Sequence, residues 1–165
     1  MQTLQIDQRQ TFVQMVLKQW NIHVNKLDKI FDGLSDEALL YEIAPGKNRV
    51  VYLLGHLVAS NDTMIKLFGL GERKYAFLDE AFLANPDKSD LVMPEPAALR
   101  KTWKESNAEL TAHFSKMLPD DWFSMHTAMT GEDFAKEPGR NKLSVLINRT
   151  NHMAYHLGQL VLVKP

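Results

Sequence analysis

The sequence predicts an all-α protein, built as a bundle of four long helices. Apolar residues recur every three or four positions in four segments, glycine or proline follows each segment, and no run of strands supports a sheet. The 165 residues are enough for one domain with a hydrophobic core. We therefore expect residues 1–165 to form a single domain.

The first two helices are predicted from apolar stripes and their stop signals. The first stripe alternates spacings of three and four: Val13, Val16, Leu17, Trp20, Val24, Leu27 and Phe31. Gly33 ends this helix, and Ser35 caps a short helix through Leu40. The second helix begins after Asn48 and ends near Gly69 and Gly71. Its predicted buried face carries Leu53, His56, Ser60, Met64 and Leu67.

The third helix follows a long irregular connection, residues 72–94. A connection of this length predicts a crossover between helices that are not antiparallel neighbours, with a short helix near 78–83. The third helix begins near Pro96 and runs to Pro119. Its predicted inward residues are Leu99, Trp103, Leu110, Phe114 and Met117. We expect Trp20, Trp103 and Met64 in the core.

The last helix is predicted from near Asn141 almost to Pro165, after a second irregular stretch, residues 120–140. The sequence does not exclude short strands in these two irregular stretches. Beyond Thr150 the helix has apolar or uncharged residues on all sides, which predicts burial on most sides. Part of that burial is expected to come from a second subunit, so we expect a homodimer.

Charge and composition exclude several classes of function. Lys and Arg total 19 against 20 Asp and Glu, so nothing attracts the chain to nucleic acid or to anionic lipid. Without cysteine, any metal must bind to His, Asp or Glu. The amino terminus lacks a secretory signal, and no apolar stretch reaches the ~20 residues of a membrane span. We expect a cytoplasmic protein without nucleic acid or membrane partners.

Three histidines are the candidate metal ligands. His152 and His156 lie four residues apart, on one face of the last helix, and His56 lies on the second helix. Burying such polar groups unpaired costs about 1–3 kcal/mol each, so they need partners or an ion. Three neutral imidazoles suit zinc, nickel, iron or cobalt and leave positions open for water or substrate. The alternative is a set of hydrogen-bonded core histidines.

Other residues on these two helices are candidates for the surrounding pocket. Two amides and two phenols qualify: Asn61, Gln159, Tyr52 and Tyr155. Ordinary interior pairing and packing are the alternative for all four. Gly55 and Gly158 flank the histidines, where they either make room for a close contact or are simply tolerated. No residue is assigned a catalytic role from the sequence.

The segments around the histidines resemble a known family. GHLVASND, which contains His56, and NHMAYHLGQL, which contains His152 and His156, are similar to the two signature helices of the DinB-like superfamily. The preceding SDEALLYEIAPGKNRVVYLLGHL is also similar to that family. The resemblance implies a four-helix bundle with an up-down-down-up course, in which these three histidines bind one divalent metal. The family includes metal-dependent transferases that use small cellular thiols and a thiol-dependent maleylpyruvate isomerase.

This resemblance favours a transferase that joins a small thiol to an electrophilic small molecule. We expect one divalent transition metal as cofactor and an external low-molecular-weight thiol, which attacks as metal-bound thiolate. A hydrolase that uses metal-bound hydroxide is one alternative. A non-catalytic, metal-binding, stress-related dimer is the other.

Overall fold

The structure, a computed structural model, describes residues 7–163. Four long helices form the bundle: α1 (Gln8–Gly33), α3 (Val50–Leu67), α4 (Pro96–Phe114) and α7 (Lys142–Leu160). Three short helices join them: α2 (Asp36–Leu39), α5 (Pro119–Trp122) and α6 (Gly131–Lys136). The only β-type pairings between described residues are two isolated bridges, Glu42 with Arg49 and Met125 with Asn141. The predicted all-α class is confirmed.

Capping side chains explain where several helices begin. The Asp7 carboxylate accepts hydrogen bonds from two backbone N–H groups at the start of α1. The Ser35 hydroxyl caps α2, as the sequence predicts, and the Asn141 side chain caps α7. Pro96 is the first residue of α4. Proline has no backbone N–H, but the N–H groups in the first turn of a helix have no acceptor within the helix, so no helical hydrogen bond is lost.

Side-chain contacts show how the long helices run. Trp103 on α4 donates to Asp28 on α1, while Arg9 at the start of α1 pairs with Asp120 beyond the end of α4. These contacts make α1 and α4 antiparallel. On α3 and α7, His56 meets His152 whereas Ser60 meets Arg149, so this pair is antiparallel too. Both pairs run in the directions that an up-down-down-up course requires.

The helix at the centre of the bundle is α3, not α7. It packs against α2, α4, α7 and the crossover turns, and most of its residues are buried. The predicted burial of α7 on most sides is wrong for the chain alone, because Asn151, Tyr155 and Gly158 are exposed. Uncharged residues are also common on protein surfaces, so the absence of charged residues from the second half of α7 does not indicate that this half is buried. The helix ends at Leu160, and the predicted end near Pro165 lies outside the described residues.

The crossover between α3 and α4 has an ordered course. It contains a 3₁₀ turn (Ala76–Leu78) and a π-helical turn (Glu80–Ala84), where the sequence predicts one short helix. Leu78 and Phe82 are buried and anchor the two turns in the core. At the far end, the Asp87 carboxylate accepts from the backbone N–H of Arg49 at 2.7 Å and also pairs with its guanidinium. The crossover is therefore fastened to the start of α3.

The second irregular stretch, residues 120–140, contains most of α5 and all of α6, two short helices that the sequence pattern does not reveal. In α5, Trp122 is buried and packs edge-on against the rings of Phe68 and Phe114. By contrast, α6 buries none of its residues. None of the described helices combines the length and the apolar character that crossing a bilayer requires.

Candidate metal centre

The structure brings His56, His152 and His156 together between α3 and α7. The Nε2 atoms of His56 and His152 are 2.9 Å apart, and those of His156 and His152 are 3.0 Å apart. His152 and His156 share a face of α7 because they are one helical turn apart. In the described part of the chain, these three histidines are the one cluster of potential ligands compact enough for an ion.

The outer nitrogens of two rings are fixed by oxygen acceptors. His56 Nδ1 lies 2.8 Å from the backbone carbonyl of Phe82, and His156 Nδ1 lies 2.8 Å from Oε1 of Gln159. A carbonyl oxygen only accepts, so each Nδ1 carries the proton and donates it. Consequently the Nε2 atoms of both rings present lone pairs towards His152.

This donor set fits a cation. Of the three Nε2 atoms, only that of His152 is free to carry a proton. This proton can be donated to His56 or to His156, but not to both at once. At least two of the Nε2 lone pairs therefore face each other and repel, unless a cation lies between them. Two nitrogens bound to one ion at about 2.0–2.1 Å lie about 2.9 Å apart at a right angle and about 3.3–3.4 Å apart in a tetrahedron. The observed separations of 2.9 and 3.0 Å lie at the short end of this range, so a small outward movement of the rings would admit a tetrahedral ion.

Burial keeps the α7 histidines neutral. It lowers the pKa of His152 from its ordinary 6.5 to about 4, assisted by the neighbouring His156 and His56 and by Arg149. Burial also lowers the pKa of His156, while the hydrogen bond to Gln159 opposes that shift. Both rings are thus unprotonated at neutral pH, which is the form that binds metals.

Arg149 supplies a fixed positive charge one turn before His152. Its Nε donates to the backbone carbonyl of Ser60 at 3.1 Å, and one terminal nitrogen donates to the Thr63 hydroxyl at 3.1 Å. These bonds join α7 to α3 beside the cluster. They also hold the charge that disfavours protonation of His152.

The comparison with known families agrees with this site. The sequence model of the DinB superfamily matches residues 19–160, which include all three histidines. The chain belongs to the DinB superfamily. No curated protein matches it. Family membership and the histidine cluster together are compatible with a metal-binding protein.

Two of the four predicted pocket residues of this DinB superfamily member, Gln159 and Tyr52, lie beside the histidine rings with their polar side-chain atoms hydrogen-bonded. Gln159 holds His156 Nδ1, as described above. The Tyr52 ring stacks on the His56 ring at an interplanar angle of 11° and a centroid distance of 6.2 Å. Its hydroxyl donates to the backbone carbonyl of Asn85 at 2.7 Å and lies 3.4 Å from the carbonyl of Phe82, which also accepts from His56. The Tyr52 hydroxyl therefore bonds to the backbone of the crossover rather than to a ligand.

The other two predicted pocket residues lie at the edges of the site. Asn61 is fully buried, and its amide nitrogen lies 3.6 Å from the sulfur of Met153, so it packs in the core beside α7. Tyr155 is 65% exposed, and its ring meets that of His156 nearly edge-on at 5.1 Å. Sequence reasoning missed Phe82, because its contribution is a backbone carbonyl that no side-chain pattern reveals.

The remaining histidines of this DinB superfamily member lie elsewhere. His23 Nδ1 pairs with the Gln19 carbonyl of its own helix at 2.7 Å, and His113 approaches Glu109 at 4.0 Å. His126 lies in the loop before α6 and bonds to the nearby Ala128 backbone. They provide matched controls for substitutions within the cluster.

Proposed function

We propose that this chain is a metal-dependent enzyme that joins a small cellular thiol to an electrophilic small molecule. The observation that supports this proposal is the convergence of three Nε2 atoms, two of them on rings oriented through their outer nitrogens. His56, His152 and His156 would hold one divalent transition metal. Such an ion, held by neutral ligands only, keeps its charge and lowers the pKa of a thiol or water that binds it.

The surrounding residues prepare the cluster for this chemistry. The Phe82 carbonyl and Gln159 orient two rings, and acceptors of this kind raise the basicity of a ligating histidine. Burial lowers the pKa of His152 and so keeps it unprotonated, with smaller contributions from His156, His56 and Arg149. The Tyr52 ring lies parallel to the His56 ring and packs beside it. Three protein ligands leave coordination positions for small molecules.

In the proposed reaction, the thiol loses its proton to solvent and its sulfur forms a bond to the electrophilic carbon. With a halogenated aromatic, the carbon–halogen bond breaks and halide leaves with the electron pair. We place this reaction in the cytoplasm, because small thiols are kept reduced there. The substrates are small molecules that approach the half-buried side of the histidine cluster.

The test uses full-length protein purified without a histidine tag. Elemental analysis is expected to find about one transition-metal ion per chain. The loaded protein is then expected to consume a thiol in the presence of a halogenated aromatic, while His152→Ala does not and the control His23→Ala does. Hydrolysis of an activated ester without thiol would favour the hydrolase. Bound metal without turnover across several thiols and electrophiles would favour a non-catalytic role.

We also propose that the chain forms a homodimer through a surface on α1 and α7 that carries little charge. A groove of about 510 Å³ lies between these helices, and its lining contains one charged residue, Lys18. Phe12 and Met15 beside it are 47% and 60% exposed. Protein interfaces are depleted in charge at their core, and a two-fold dimer pairs the same surface from both copies. Light scattering is expected to give twice the chain mass for the wild type and the single mass for Met15→Glu.

A further inference from the structure

The ring of Phe82 lies directly on the backbone of Gly55. A Cβ added at Gly55 would come within 2.3 Å of the Phe82 ring and within 2.5 Å of two further ring atoms. Phe82 itself is fully buried. No larger residue fits at position 55 unless this ring moves, which accounts for a glycine in the middle of a long helix, where glycine is unfavourable. The contact sets how closely the π-helical turn Glu80–Ala84 approaches α3.

This approach brings the backbone carbonyl of Phe82 to His56, and the Tyr52 hydroxyl lies 3.4 Å from the same oxygen. Phe82 is the middle residue of the π-helical turn, which is a single turn long, so its carbonyl is available to side chains of α3. His56 Nδ1 reaches it at 2.8 Å and donates its proton. Because a backbone carbonyl cannot donate, this contact fixes the tautomer of His56 with the Nε2 lone pair towards His152.

Tyr52 fastens the other end of the same turn. Its hydroxyl donates to the carbonyl of Asn85 at 2.7 Å, one residue beyond the π-helical turn. Its ring stacks on His56 and also contacts Phe82 at a centroid distance of 5.7 Å. Tyr52 lies one helical turn before His56, so α3 carries both the ligand and the anchor of its acceptor.

We infer that the Gly55–Phe82 contact and the Tyr52 hydroxyl position the π-helical turn so that it orients His56 and fixes its tautomer. Gly55, Phe82 and Tyr52 are thus positioning residues for the histidine cluster. π-Helical turns are often found at functional sites, where they redirect backbone groups. The inference deepens the proposed function. It rests on that function only in the experiments that measure metal affinity.

The first measurement needs no metal. In the metal-free full-length protein, long-range ¹H–¹⁵N correlation of the imidazoles reports which nitrogen of His56 carries the proton. The wild type is expected to show the Nδ1–H form, and Gly55→Ala is expected to lose that preference because the added methyl displaces Phe82. An Nε2–H form in the wild type would overturn the inference whatever the metal does.

The second measurement is the affinity for Co²⁺, by competition with a chelator, with the visible spectrum of bound Co²⁺ as a report on its ligands. Gly55→Ala is expected to bind Co²⁺ about 10–100-fold more weakly and to alter the spectrum. The matched control is Gly158→Ala, the same change inside α7, where an added Cβ meets no atom within 4 Å. The control is expected to bind within about twofold of the wild type.

Tyr52→Phe provides a milder variant, in case Gly55→Ala does not give the circular dichroism of a folded bundle. It keeps the stacked ring and removes only the hydroxyl, so we expect Co²⁺ binding about tenfold weaker. Affinities of both variants equal to that of Gly158→Ala would overturn the positioning role and leave the proposed function intact. Failure of the wild type to bind Co²⁺ would instead overturn the proposed function.

Discussion

The two helices that carry the histidines hold their rings in different ways. On α7, His152 and His156 are one turn apart, and the acceptor for His156 is Gln159, three residues further along the same helix. On α3, the acceptor for His56 is the carbonyl of Phe82, which belongs to the crossover. One half of the site is therefore local, and the other depends on tertiary packing.

This difference determines what can disturb each half. The α7 half needs only an intact helix and one amide side chain, so a point substitution can remove its acceptor. The α3 half uses a backbone acceptor that no substitution deletes, but its position depends on the contacts of Phe82 with Gly55. The binding strength of His56 is thus coupled to the packing of the crossover, whereas that of His156 is not.

Removal of the His152 ring, which lies next to His56 on α3 and to His156 on α7, should reduce metal binding the most. His152 Nε2 lies 2.9 Å from that of His56 and 3.0 Å from that of His156. His152→Ala is expected to lose most bound metal and, with it, the rise in melting temperature that metal gives the wild type. Elemental analysis and thermal unfolding with and without added Zn²⁺ measure this. Metal content equal to that of His23→Ala would contradict a role of His152 as ligand.

Removal of the local acceptor should have the next largest effect. Gln159→Leu takes away the oxygen that holds His156 Nδ1, and loss of such an acceptor weakens metal binding about 10–100-fold. Gln159→Glu keeps an oxygen at this position and is expected to retain affinity. Chelator competition with Zn²⁺ distinguishes them. If both variants bind like the wild type, the α7 half does not depend on its amide, and the contrast between the halves fails.

Acid should destabilise the metal-free protein through the α7 half. The pKa of His152 is about 4 in the folded chain and close to its ordinary 6.5 in the unfolded chain. Between these values the unfolded chain holds a proton that the folded chain lacks, so acidification favours unfolding. The melting temperature is expected to fall as the pH is lowered through this window, and to fall less in His152→Ala. Parallel curves for the two proteins would contradict the assignment.

The sequence predicts the local parts of this molecule better than the tertiary ones. The apolar stripe ending at Gly33 and the cap at Ser35 are helix signals, and α1 and α2 lie where these signals place them. By contrast, the π-helical turn lies where the apolar periodicity breaks down, and its Phe82 ring packs against Gly55 on a distant segment of the chain. Likewise α6 buries no residue, so it leaves no apolar pattern to detect.

The same distinction applies to the candidate site. The spacing of His152 and His156 and the resemblance around His56 indicate a cluster, and the structure brings the three rings together. Their role as metal ligands stays a prediction. The acceptor of His56 has no sequence signal of its own, and only the glycine at position 55 hinted at a close contact. On α7, neutral residues such as Asn151 suggested burial, although such residues are also common on surfaces.

The smallest effect is expected at Tyr155, at the outer edge of the local half. Its ring lies edge-on to His156 but is 65% exposed, so its hydroxyl contributes little to holding that imidazole. Tyr155→Phe is expected to bind Zn²⁺ within about twofold of the wild type, since no acceptor of a ligating ring is lost. Chelator competition measures the affinity, and turnover is measured on the same sample. Unchanged affinity with a large loss of thiol consumption would show that the hydroxyl contacts substrate, so that the α7 half would bind both metal and substrate.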